Sequence, residues 1–284
     1  MDEEYLQKIL SRPEKPLDIQ QDLAMILSQG SRILITGAAG SIGVKICEIF
    51  RDSGINYLNT DISECDVRDK SNCKEVVSDY SPTHILHLAA DKHAPAGEIH
   101  IEETLDINAL GTRNIIEAAS ISGAKVVLAS TCKSCDPETV YGATKLIAER
   151  MVLNSSGSVA RFYNVIDTAG NVFEIWSKCE SDAEIQVTNC YRFFITSNEA
   201  ASLLVKTLAI SNIRPGRYIY DPGTPHYMPD IAKRIYPDRK LLIIPPRRGD
   251  RLREPLKAEN ENLIRRGTDF IEVVSAHDNA NSES

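Results

Sequence analysis

Long apolar runs are missing from this 284-residue chain. The longest, such as KVVLA and KLLII, fall far short of the roughly 20 residues a membrane helix needs. The acidic start MDEEYLQKIL lacks the basic-then-apolar order of a secretory signal. No membrane association is therefore expected, and the cytoplasm is the expected compartment. Positive charge is short as well: 32 Lys and Arg against 40 Asp and Glu leave a formal net charge of -8, which argues against a nucleic-acid surface. The one basic concentration, Arg247, Arg248, Arg251 and Arg253, suits a small anionic ligand better than a polymer. Seven cysteines, an odd number set mostly in periodic segments, fit reduced thiols better than a disulfide framework. Internal repeats and low-complexity blocks are absent from the sequence too.

What remains is a length able to bury a large core. From Ser31 onward apolar strands alternate with amphipathic helices: RILITG, then SIGVKICEIFRDSG; INYLNT, then DKSNCKEVVSDY; HILHLAA, then a long helix through INALGTRNIIEAA; AKVVLAS, then TVYGATKLIAERMVLN. Strands apolar along their whole length call for a parallel sheet covered on both faces. The expected fold class is α/β, a Rossmann-type doubly wound parallel sheet with a smaller C-terminal substrate-binding lobe. The expected organisation is an N-terminal arm at 1–30, appended to the core, and a Rossmann domain at 31–165. A smaller lobe follows, mainly 166–270, with some elements returning to the sheet, and then a disordered tail at 271–284.

Gly37, Gly40 and Gly43 lie between the first strand and its helix. Glycine there lets the backbone turn tightly and approach a pyrophosphate, which sits at the positive end of the helix. The next strand ends at Asp61, where a carboxylate can accept hydrogen bonds from an adenosine ribose and would repel a 2'-phosphate, favouring NAD over NADP. The compressed segment that follows leaves open that Asp61 caps a turn instead.

The segment STCKSCDPETVYGATK carries two signals. Tyr141 and Lys145 are four apart on one helix face, so an ammonium can favour a tyrosinate that takes a proton from an alcohol. Cys132 and Cys135 could instead form a zinc or dithiol site. Zinc wants four ligands, and no second close pair exists: Cys179 and Cys190 are eleven apart. A dithiol wants a helix N-terminus, whereas Pro137 leaves the pair in a loop. No metal is expected, and Cys135 is read as filler.

The order of these pieces resembles the extended short-chain dehydrogenase/reductase superfamily. AADKHAP, INALGTRNIIEAA, ST-x-K with YGATK, VARFYNV, YRFFIT and RRGDRLRE narrow the resemblance to its polysaccharide-biosynthesis branch, the UDP-N-acetylglucosamine 4,6-dehydratases, over about Arg12 to Glu254. The resemblance implies oxidation of UDP-N-acetylglucosamine at carbon 4 by a tightly held NAD or NADP, loss of water across carbons 5 and 6, and return of hydride to carbon 6. It implies catalytic roles for Thr131, Cys132, Lys133, Tyr141 and Lys145. Lys133 would be the carbon 5 base, and Cys132, where the family usually has Asp, the acid for the departing hydroxyl. The cofactor would meet Gly37, Gly40, Ser41, Ile42, Gly43, Asp61, Asp66, Val67, Ala89, Ala90, Lys92, Asn108, Tyr141 and Lys145. The UDP-sugar would meet Lys92, Asn164, Arg192, Arg247 and Glu254. A homo-oligomer is implied too. A 5,6-ene product, or a non-catalytic nucleotide-sugar-binding protein, are the alternatives.

Overall fold

The computed structural model describes residues 3–180, 183–246 and 250–275. Two short helices come first, α1 (Glu3–Leu10) and α2 (Gln20–Ser28). The alternating unit follows as β1 (Arg32–Thr36), α3 (Ser41–Asp52), β2 (Asn56–Thr60), α4 (Lys70–Tyr80) and β3 (His84–His87). After β3 come α5 (Ala94–Gly97), α6 (Ile101–Leu105), a single π-helical turn over Asp106–Leu110, and α7 (Gly111–Ser122). β4 (Lys125–Thr131) leads through a 3-10 turn at Cys132–Ser134 to α8 (Val140–Asn154) and β5 (Ser158–Phe162).

The sequence then builds short ribbons: β6 (Asn164–Val165), α9 (Val172–Ser177), β7 (Ile185–Thr188), β8 (Tyr191–Arg192) and β9 (Phe194–Ile195). It returns to the main sheet with α10 (Ser197–Ile210) and β10 (Arg217–Tyr220), leaves it for β11 (His226–Tyr227), α11 (Met228–Ile235) and β12 (Leu241–Ile244), and closes with β13 (Glu261–Gly267) and β14 (Phe270–Ser275).

The main sheet runs β13-β14-β10-β5-β4-β3-β1-β2. From β2 to β10 all neighbours are parallel, while β14 and β13 add an antiparallel edge. The strand order reverses at β1, which lies between β2 and β3, and a crevice opens where the connections diverge. One face of the sheet is covered by α3, α10 and α2, the other by α4, α7 and α8. A third core, in the lobe, gathers Phe173, Trp176, Val187, Phe194 and Ile231.

Two expectations are corrected here. The arm is no appendage: Ile9 and Leu10 are buried in the lobe core, α2 packs on α10, and Arg12 forms a two-pronged ion pair with the fully buried Glu199. Residues 271–275 are not tail but part of β14, where Phe270, Ile271 and Val273 are buried against β10. Their alternation was overshadowed by the polar residues that follow, and 276–284 lie outside the described residues. Among the described residues no helix is long and apolar enough to cross a membrane.

Candidate active site

A cavity of about 1310 Å³ runs from the glycine turn, past the C-terminal ends of β3 and β4, into the lobe. At its first end Gly37 has φ +70°, and a Cβ there would meet Ala89 N at 2.6 Å. A Cβ on Gly43 would meet Ala38 Cα at 2.6 Å, so α3 can approach the turn only with glycine. No side chain caps the start of α3, whose first N–H groups face the turn. Asp61 accepts hydrogen bonds from Ala39 N (3.0 Å) and Ile62 N (2.9 Å), so it braces the turn while lining the cavity. Gly40, Ser41, Ile42, Asp66, Val67, Ala89, Ala90 and Lys92 line it as well. The lobe closes over this end: Ala169 N donates to Ser41 Oγ (3.3 Å), and Lys92 Nζ donates to Ala169 O (3.2 Å).

The middle of the wall is made by Thr131, Lys133, Tyr141 and Lys145. Helix α8 starts where Thr139 Oγ1 and Glu98 Oε1 accept from Gly142 N and Val140 N. A Cβ at Gly142 would sit 2.2 Å from Lys133 O, so this glycine lets the 3-10 turn lie against α8 and brings Lys133 to Tyr141. Burial raises the Tyr141 phenol to about 12, against the lowering by the Lys133 charge and the Thr131 hydroxyl. The Lys133 charge thus acts on Tyr141 from the turn beside α8. Lys145 is itself lowered to about 8 by burial, offset in part by Glu149.

Behind this wall Glu254 is buried at 5% exposure and gathers four groups. Lys133 Nζ lies 2.6 Å from Oε1 and Arg192 Nε 3.3 Å from it; Asn164 Nδ2 donates to Oε2 at 2.6 Å, and the Cys132 thiol at 3.5 Å. Burial pushes the Glu254 carboxyl up, but Lys133 and Arg192 outweigh it and hold it at about 2. Burial likewise acts to lower Lys133, and the Glu254 charge reverses this, leaving Lys133 above the ordinary lysine range. Lys133 and Glu254 thus form an ion pair at the back of the wall.

Three sequence expectations place residues on the wall that lie behind it. Cys132 is 0% exposed in the core beneath the sheet, and burial pushes its thiol well above the usual range. An acid that reaches the substrate must face the cavity, and this thiol faces Glu254. Glu254 contacts Lys133 instead of the cavity space, and Asn108 is buried in the π-helical turn. Asn164 and Arg192 do line the cavity; Arg192 Nη1 is braced by Tyr191 O (2.9 Å) and Arg251 O (2.7 Å). Arg247 lies outside the described residues.

Cys135 is more than filler. Its sulfur accepts from Arg161 Nη1 at 3.1 Å, inside a buried network in which Arg161 and Arg217 bridge Glu149 of α8 to Glu261 of β13. His87 is fully buried between Thr36 and Thr112, and burial lowers it to about 3. Sequence reasoning passed over Asp91, which lines the wall beside Lys92, and the lobe's Phe173, Trp176 and Met228. For the lobe residues no spacing signal exists, because ribbons of two to four residues bring them together.

Comparison with known proteins agrees with this arrangement. The sequence profile of the family described as polysaccharide biosynthesis protein matches residues 54–276. The chain is 32% identical over 259 residues to the probable polysaccharide biosynthesis protein EpsC of Bacillus subtilis, covering 78% of this chain and 43% of that protein. It is 28% identical over 271 residues to a Campylobacter jejuni protein named UDP-N-acetylglucosamine 4,6-dehydratase (inverting), covering 83% of this chain and 80% of that one. The chain thus spans less than half the length of EpsC, and 48% of the capsular polysaccharide biosynthesis protein CapD of Staphylococcus aureus. Among solved structures, Pen from Bacillus thuringiensis superposes with a TM-score of 0.74 at 24% identity, over 87% of this chain and 90% of that one. UDP-glucose 4-epimerase of Thermus thermophilus, solved with NAD, gives 0.66 at 20% identity, over 80% and 90%. With a match that runs from β2 through the Tyr141 helix and the Arg192 strand to β14, the chain belongs to the polysaccharide biosynthesis protein family of the extended short-chain dehydrogenase/reductases.

Proposed function

We propose that this chain is a nucleotide-sugar dehydratase acting on UDP-N-acetylglucosamine, giving the UDP-4-keto-6-deoxy sugar. The observation that carries the reading is one continuous wall. It joins a glycine turn shaped for a pyrophosphate to Thr131, Tyr141 and Lys145 in the middle and to Asn164 and Arg192 in the lobe. The relative named UDP-N-acetylglucosamine 4,6-dehydratase supports the choice of substrate.

A nicotinamide dinucleotide fits the first end: two glycines admit no Cβ, the start of α3 offers uncapped N–H groups, and Asp61 lines the space. Asp61 favours NAD. Held by these residues, a nicotinamide would supply the hydride acceptor for sugar carbon 4 and the hydride donor for carbon 6. The chain's own residues do the rest. Thr131 and Tyr141 hold the carbon 4 hydroxyl, and Tyr141 takes its proton. The Lys133 charge opposes the rise that burial gives the phenol, and Lys145, one turn along α8, holds the cofactor ribose. Arg192 and Asn164 hold the UDP-sugar, the guanidinium matching phosphate oxygens in pairs.

Proton NMR of the product tests this. UDP-N-acetylglucosamine should yield a methyl doublet with no net consumption of nicotinamide. An exocyclic vinyl pair means a 5,6-ene product, and an unchanged sugar under all cofactor conditions overturns the reading in favour of a binding protein.

A further inference from the structure

Glu149 lies on α8 one turn beyond Lys145 and two beyond Tyr141, and it is fully buried behind the wall. Its Oε1 accepts from Ser130 Oγ at 2.5 Å, Ser134 Oγ at 2.7 Å and Arg161 Nε at 3.1 Å; its Oε2 accepts from Arg161 Nη2 at 2.7 Å and Arg217 Nε at 2.9 Å. A carboxylate offers about four lone-pair sites, so this one is saturated. Arg161 of β5 and Arg217 of β10 come from neighbouring strands, and Glu261 of β13 holds both, at 2.7 and 3.2 Å. Two arginines and two glutamates thus balance in charge, and one carboxylate joins α8 to β4, β5, β10 and the 3-10 turn.

The two serines it grips are the chain neighbours of the reacting stretch: Ser130 precedes Thr131, and Ser134 follows Lys133. Ser134 Oγ also lies 2.7 Å from Thr131 O, but its single proton goes to the charged acceptor, the stronger of the two. A second contact sets the same turn against α8 from the other side, at Gly142, where a Cβ would meet Lys133 O at 2.2 Å. Backbone touching backbone limits the approach there, and the carboxylate draws the turn in from both of its ends. Stability alone does not call for such a cluster, since well-packed apolar side chains often stabilise a core as well as buried charges do. What a fully satisfied polar network adds is a fixed direction for each of its donors.

We propose that Glu149 is a positioning residue of the active site: through Ser130 and Ser134 it fixes the Thr131–Lys133 turn against α8, and with it the spacing of Thr131 and Lys133 from Tyr141 and Lys145; this rests on the dehydratase reading above, in which Thr131 and Tyr141 meet the carbon 4 hydroxyl. Glu149 touches neither sugar nor cofactor. Its loss therefore leaves the hold of Asn164 and Arg192 on the UDP-sugar intact and acts on the rate. A displacement of about 1 Å at a reacting group costs about 10²-fold.

Ser134→Ala releases the grip at one end of the turn and leaves all the charges in place, and Ser134, unlike Ser130, does not line the cavity. The variant should melt close to the native protein and bind nicotinamide dinucleotide as tightly. With UDP-N-acetylglucosamine as substrate its KM should hold, while kcat and the rate of nicotinamide reduction on mixing fall together by about 10- to 10²-fold. Glu149→Gln should fall at least as far, and adding Ser134→Ala to it should cost nothing more, because the hydroxyl acts through that carboxylate. A folded Ser134→Ala with kcat within about twofold of the native protein overturns the proposal, as does a raised KM at unchanged kcat, or effects that multiply in the double variant. If Glu149→Gln does not fold, Ser134→Ala alone decides; if neither folds, the cluster serves the fold and the proposal falls. If the native protein itself makes no product, it is the dehydratase reading that fails.

Discussion

Replacing Glu254 by Gln removes one charge from the cluster behind the active-site wall while keeping its shape. The Glu254 side chain is 1% exposed and that of Lys133 19%. Removing one partner of a fully buried ion pair costs about 3–5 kcal/mol. Lys133 reaches the cavity and can recover some hydration, so a loss of about 2–3 kcal/mol follows. For a chain of this size that is a drop in Tm of about 4–12 °C. The pH dependence is more diagnostic than the size. Glu254 is depressed to about 2 in the folded protein, so its contribution is complete above the ordinary glutamate value of about 4.3 and fades as pH falls toward 2. Lys133 is raised, so its share is complete below the ordinary lysine value of about 10.4 and fades above it. The gap in Tm between native protein and E254Q should therefore be widest from about pH 5 to 10 and narrow on both sides. Calorimetry of the cofactor-free protein at pH 3, 7 and 9 measures it. A gap that is absent at pH 7, or as wide at pH 3 as at pH 7, refutes the claim that Glu254 and Lys133 are a charged pair.

Tyr141→Phe should retain nicotinamide binding, measured by calorimetric titration, and end turnover. Cys132→Ala should turn over within a few-fold of the native protein, since the thiol faces Glu254 and not the cavity. Cys132→Asp should lower Tm at pH 7 by setting a second buried carboxylate beside Glu254. Lys145→Met should raise the Tm of the cofactor-free protein at pH 7 while abolishing activity. The native lysine is depressed to about 8, so its buried charge costs stability below that value, and the cost disappears as pH rises to the ordinary lysine range. The advantage of the methionine should therefore vanish by about pH 10.5. Gly43→Ala should abolish nicotinamide binding, because its Cβ would strike Ala38 backbone at 2.6 Å.

The alternation of strands and helices from Ser31 to Phe162 was legible because β1, β3, β4 and β5 are buried on both faces, while only the edge strand β2 is half-exposed, and each helix buries one face. The glycine turn was legible for a related reason: backbone that must approach backbone admits one residue type, whatever the surroundings. The lobe was legible only as separate elements. Its core joins α1, α9, α11 and short ribbons separated by long stretches of chain, and no local period records such a meeting. β13 and β14 were missed because a partly exposed antiparallel edge lacks the unbroken apolar runs of the parallel strands.

In the site itself, sequence order placed Thr131, Lys133, Tyr141 and Lys145 together, and the structure brings all four to one wall. It could not say which way a side chain faces. Cys132 and Lys133 are adjacent in a 3-10 turn, and that turn sends one into the core and the other into the cavity. A residue's role follows that direction, and so does the role of its neighbour. Once the thiol at 132 points inward, the carboxylate that meets Lys133 comes from Glu254, 121 positions away.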